Sequence, residues 1–99
     1  MIDILRVDER GSIEAEFPDS EALHAVLANG PPPNSCCLRF VDLYGDTTFN
    51  RLQLPVLAAE LGAAAAKATP ALQRRVDALA AFVETAGAEP HTYVKFIGD

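Results

Sequence analysis

The densest run of side chains able to do chemistry lies between Arg39 and Gln53, where Asp42, Tyr44, Asp46, Thr47, Thr48, Asn50, Arg51 and Gln53 fall within a dozen positions. If two strands fold back on each other at Tyr44-Gly45-Asp46, a hairpin gathers several of these acceptors and donors, with one cation, at a single end. Such a cluster can recognise a partner, or hold a hard cation through Asp42 and Asp46. Two carboxylates are few for calcium, but they suffice for magnesium when waters and phosphate oxygens complete the shell. A plainer reading gives the same residues to the fold: Asp46 stabilises the turn, the threonines fill strand positions, and Arg51 pairs with Asp42. The segment is therefore assigned as a binding surface made of Asp42, Tyr44, Asp46, Thr48, Asn50, Arg51 and Gln53. No catalytic residue, metal-ligand set or cofactor is assigned.

Elsewhere the chemistry is sparser. His24 follows Leu23 on a helix and reads as a surface side chain. His91 follows Pro90 at the start of a strand, and acts as a base only if the fold carries it to Asp46. Cys36 and Cys37 are adjacent, so a bridge between them would be strained on an extended strand. A nucleophilic cysteine needs a base and a lowered pKa, and only Arg39 is a nearby cation, so both read as buried and structural. Ser12, Ser20 and Ser35 lie in no nucleophile-elbow context. The chain has neither a glycine-rich phosphate loop nor a histidine–cysteine metal spacing.

The elements that must position these groups follow from periodicity. Ile2–Val7 and Ser12–Phe17 flank Asp8-Glu9-Arg10-Gly11 and predict a hairpin with Gly11 in the left-handed turn position. Glu14 and Glu16 place the second strand at a sheet edge. Pro18-Asp19-Ser20 opens a helix with Leu23, Val26 and Leu27 on one side, closed by Asn29-Gly30 and a stiff Pro31-Pro32-Pro33 connector. The run Cys36–Leu43 is apolar on both faces and predicts a central strand, with Leu38 and Phe40 pointing one way. Thr47–Leu52 is its returning partner. Pro55 starts an alanine-rich helix to Ala68, with Val56, Leu57, Leu61, Ala64 and Ala65 inward. Thr69-Pro70 caps another, whose stripe of Leu72, Val76, Leu79, Phe82, Val83 and Ala86 runs to Gly87. His91–Ile97 is the last strand. The order is β-β-α-β-β-α-α-β: an α+β, two-layer domain over residues 1–99, with a largely antiparallel sheet and helices on one face.

Composition narrows the class of partner. The chain has 99 residues, 49% of them hydrophobic and 22% charged, which is a globular rather than a disordered balance. Its net charge is −6, without a basic run. Nucleic acids demand a cationic surface, so they are not expected as ligands. The longest apolar stretch, Leu54–Ala68, is interrupted by Glu60 and Lys67, and a membrane span is not expected. Without a signal-peptide pattern, the cytoplasm is the expected compartment.

The segment Leu38-Arg-Phe-Val-Asp-Leu-Tyr-Gly-Asp-Thr-Thr-Phe-Asn-Arg-Leu-Gln53, together with the ending Tyr93-Val-Lys-Phe-Ile-Gly-Asp99, resembles a group of short stand-alone bacterial proteins of unassigned function. The resemblance covers most of the chain; it implies a bacterial, self-contained protein and transfers no catalytic residue. Three functions are then open. The first is a non-catalytic binding or accessory module with a protein partner, such as an immunity-type inhibitor of a basic toxin. The second is a small metal- or phosphate-dependent enzyme using the Asp42/Asp46 region, with His91 if it converges on them. The third is a homo-oligomer joined through the alanine-rich helix, although that helix is expected to pack inside its own domain. Sequence leaves monomer against oligomer undecided.

Overall fold

The computed structural model describes residues 2–28 and 34–98. Its elements are β1 (Asp3–Asp8), β2 (Ile13–Phe17), α1 (Ser20–Leu27), β3 (Asp46–Phe49), α2 (Leu54–Ala65), α3 (Pro70–Gly87) and β4 (Thr92–Ile97), with a 3₁₀ turn at Leu38–Phe40. The four strands form one antiparallel sheet in the order β2-β1-β4-β3, with Ile4 opposite Phe96 and Thr47 also opposite Phe96. The helices cover one face of it, so the fold is α+β in two layers. The closing residues expected for α1 and the proline connector, 29–33, lie outside the described residues.

Several elements form for the local reasons their sequences suggest. In the first hairpin, Asp8 accepts hydrogen bonds through Oδ1 from the amides of Arg10 and Ser12, each at 2.9 Å, and Gly11 takes φ +83°. The acid-rich β2 lies at the sheet edge, with a register irregularity opposite Arg6 and Val7 that bends it. Thr69 caps α3, its hydroxyl accepting from the Leu72 amide at 3.4 Å, with Pro70 in the first turn.

The core lies between the layers. Ile4, Phe49, Val94 and Phe96 meet Leu23, Leu57, Leu61, Val76, Leu79 and Val83. Phe49 and Phe96 pack edge to face at 5.9 Å, and Phe17 meets Phe82 at 5.5 Å. The alanine-rich α2 packs against α3, burying Leu54, Leu57, Ala58, Leu61 and Ala65, so its apolar side is taken within the chain. Val56, expected on that side, is exposed instead. At the outer surface, Arg75 of α3 grips Asp19 before α1 with two hydrogen bonds of 2.7 Å.

The expected central strand Cys36–Leu43 does not exist. The segment enters a 3₁₀ turn and continues as a connector; five strands were expected and four are present among the described residues. Leu38 is 1% exposed, but Phe40 is 62% exposed, with the Arg39 guanidinium 4.8 Å above its ring. The cause lies on another element. The Glu60 carboxylate on α2 accepts from the backbone amides of Cys36, Cys37 and Leu38, the latter two at 3.0 Å. Three consecutive amides turned toward one carboxylate cannot alternate along a strand ladder. The expected return strand Thr47–Leu52 shrinks to β3, which pairs with β4 rather than with the preceding segment.

Further along, the connector runs close past the end of β4. The Gly98 amide donates to the Gly45 carbonyl at 2.8 Å. A Cβ on Gly98 would sit 2.8 Å from the Asp42 carbonyl oxygen and closer still to the Leu43 carbonyl, so only glycine fits this crossing.

Candidate functional site

The seven residues assigned as a binding surface divide into two groups. Three have their polar atoms committed to local backbone. Asp42 accepts from the Tyr44 amide through Oδ1 at 2.9 Å, while its own amide donates to the Thr47 hydroxyl. Asn50 and Gln53 bond reciprocally: Asn50 Oδ1 accepts from the amides of Leu52 and Gln53 at 2.9 and 3.1 Å, and Gln53 Oε1 accepts from the Asn50 amide at 2.9 Å. This reciprocal pair has the form of a capping box and fixes the turn that leads into α2. Its signal was present in the sequence, as an asparagine three residues before a glutamine and ahead of an apolar run.

The other four are exposed but not gathered. Tyr44 is 83% exposed in the connector. Asp46 and Thr48 alternate along β3 on the face away from the helices, and Lys95 reaches Asp46 at 3.6 Å. Arg51 lies beyond the opposite end of β3, so its expected pairing with Asp42 is not made among the described residues. His91 is also at that far end. Asp46 pairs with Ile97, six positions along from His91 and therefore roughly 20 Å away at strand rise. A shared catalytic role for Asp46 and His91 fails on this distance. His91 instead pairs with Glu9 at 2.8 Å and adopts φ +57°.

The cysteines also separate. Both are free thiols, with Cys37 buried and Cys36 exposed, the latter against the expectation that both are internal. Burial pushes the Cys37 thiol up, and the nearby Glu60 charge and Cys36 push it further, so it is held as an unreactive thiol.

Glu60 is engaged by three consecutive backbone amides, and sequence reading missed it because its partners lie 22 to 24 residues away. Partial burial pushes its carboxyl up, but the amides of Cys36, Leu38 and Cys37, helped by Arg39, outweigh this and hold it below its ordinary value. Asp19 is likewise held down, chiefly by its hydrogen bonds to Arg75. A carboxylate with a depressed folded pKa stabilises the fold fully above its unfolded value, and that stability is lost as pH falls through the folded one. Glu60→Gln is therefore expected to lower stability by about 1.5–3 kcal/mol near pH 7. The difference should narrow on acidification below about pH 4.3. Urea unfolding of both proteins between pH 7 and pH 2.5 measures it; a difference independent of pH would mean that the charge is not what the amides hold.

A second surface was not singled out from the sequence. The helix-free face of the sheet carries Ile13 and Glu16 from β2, Asp3, Leu5 and Val7 from β1, Tyr93, Lys95 and Ile97 from β4, and Asp46 and Thr48 from β3. Cross-strand pairing sets Ile13, Val7 and Tyr93 side by side in one row, and Asp3, Ile97 and Asp46 in another. Leu5 and Val7 are covered by these neighbours, but Ile13 is 64% exposed. The alternation of Tyr93, Lys95 and Ile97 with core residues along β4 was legible, but which strands adjoin was not.

No protein-family model, curated protein or solved structure matches the chain.

The two phrases that carry the resemblance noted in the sequence meet in space, as β3 and β4, and are joined again where Gly98 bonds to Gly45. Among the described residues, no group of three or more histidine, cysteine, aspartate or glutamate side chains is arranged to hold a metal ion, and no helix is long and apolar enough to cross a membrane.

Proposed function

We propose that this protein is a non-catalytic binding module and that its docking surface is the helix-free face of the sheet, extended at one edge by Asp46 and Thr48. The observation that carries the reading is an apolar row, Ile13–Val7–Tyr93, open to solvent chiefly at Ile13, beside three acids, Asp3, Glu16 and Asp46, with Lys95 the single cation among the paired positions of that face. Apolar side chains left on one side of a sheet favour a covering partner. The surrounding acids select a basic one and speed its capture. An immunity-type inhibitor of a basic toxin is one concrete form of such a module. The polar residues of the connector and turn serve it indirectly, since the Asn50–Gln53 pair and the Asp42 turn fix both ends of β3. The exposed free thiol of Cys36 is consistent with a reducing cytoplasm.

Affinity capture from a host lysate, followed by binding titration of the recovered partner, tests this. A stoichiometric basic protein is expected, with Ile13→Asp and Glu16→Lys each weakening it by about tenfold and rising salt weakening it further. Because both positions are exposed on an edge strand, the variants should melt with the parent. Equal binding by parent and both variants would remove the sheet face as the docking surface. Loss caused only by Asp42→Ala or Arg51→Ala would return the site to the connector and turn.

A further inference from the structure

Between the β3–α2 turn (Asn50–Leu52) and the α3–β4 turn (Pro90–Tyr93) lies a hollow of about 420 Å³. We propose that it is a binding site for a small carboxylate attached to an apolar group. The inference does not rest on the docking surface above, although Tyr93 borders both, because it turns on the opposite sign of charge.

The lining is the first reason. Leu52, Pro90 and Tyr93 supply apolar wall, Arg51 is the arginine among the lining residues, and no aspartate or glutamate lines the space. Among the described residues, Arg51 makes no ion pair, as is also true of Arg10, Arg39 and Arg74, and of these it is the one that lines the hollow. One acid does approach the rim, Glu9, but it is engaged with His91 at 2.8 Å. A planar guanidinium offers two parallel donors that match a carboxylate. The volume falls within the roughly 300–1,000 Å³ of small-ligand sites.

Preorganisation is the second. The capping box between Asn50 and Gln53 fixes the turn that carries Arg51. On the other wall, the His91 backbone is held at φ +57°, a conformation disfavoured for a non-glycine residue, and the Thr92 hydroxyl donates to the Pro90 carbonyl at 3.3 Å. Both rims are thus set before any ligand arrives.

The source of the carboxylate is either a free organic acid or the end of a polypeptide chain, and three probes separate them: 4-methylpentanoate, N-acetyl-leucine and N-acetyl-leucinamide. In an amide NMR titration of the whole chain, shifts should centre on residues 50–52 and 90–93, and an acid should bind about tenfold more tightly than the amide. Tighter binding of N-acetyl-leucine would indicate a chain terminus; tighter binding of 4-methylpentanoate, a free acid. Arg51→Ala should abolish the preference for acid over amide while leaving the rest of the spectrum in place, and Arg51→Lys should restore part of it. Equal binding of acid and amide, perturbation centred elsewhere, or a preference that survives Arg51→Ala would overturn the proposal.

Discussion

Phe96→Ala is expected to cost about 3–5 kcal/mol of stability, the largest loss from any single truncation in the sheet. The ring is fully buried at the middle of β4, paired with Ile4 on one side and Thr47 on the other, and edge-on to Phe49. Neighbours on two strands and beneath the helices hold the space open, so the cavity cannot easily collapse. Urea unfolding followed by circular dichroism measures the effect. A loss under about 1.5 kcal/mol would mean that the helical layer closes over the gap, contrary to the packing described.

The second large effect is a contrast between neighbours. Leu38→Ala is expected to cost about 2–5 kcal/mol, and Phe40→Ala less than about 0.5 kcal/mol. On a strand these two side chains would share a face and both would be buried. In the 3₁₀ turn they part, with Leu38 inward and Phe40 in solvent. Equal large losses would restore the central strand and with it a fifth position in the sheet. A large loss at Leu38 alone would support the turn that Glu60 holds.

That contrast shows which parts of the fold were legible beforehand. The first hairpin, the capped start of α3 and the alternation of β4 depend on residues close together in sequence, and each was readable. Cys36–Leu43 has the composition of a buried strand, and its apolar pattern could not show that its amides belong to a carboxylate more than twenty residues downstream. The same limit hid the open-face row, which exists only because β1 lies between β2 and β4. At the candidate site, types were read correctly but destinations were not. Asp42, Asn50 and Gln53 look free in sequence because the backbone groups that engage them become visible only once the turns are built.

The strand order carries a further consequence, for the time at which the protein becomes itself. The middle of the sheet joins β1 to β4, so Ile4 finds its place only when Phe96 exists. During synthesis the first hairpin can close early and α2 can meet α3, but Leu5 and Val7 must wait on one side, and the helical layer on the other, for the last strand to arrive. Closing so long a loop is slow compared with local steps. The glutamates of β2 and the irregularity beside them then have a use before folding is complete: they discourage the waiting hairpin from pairing with a neighbouring nascent chain.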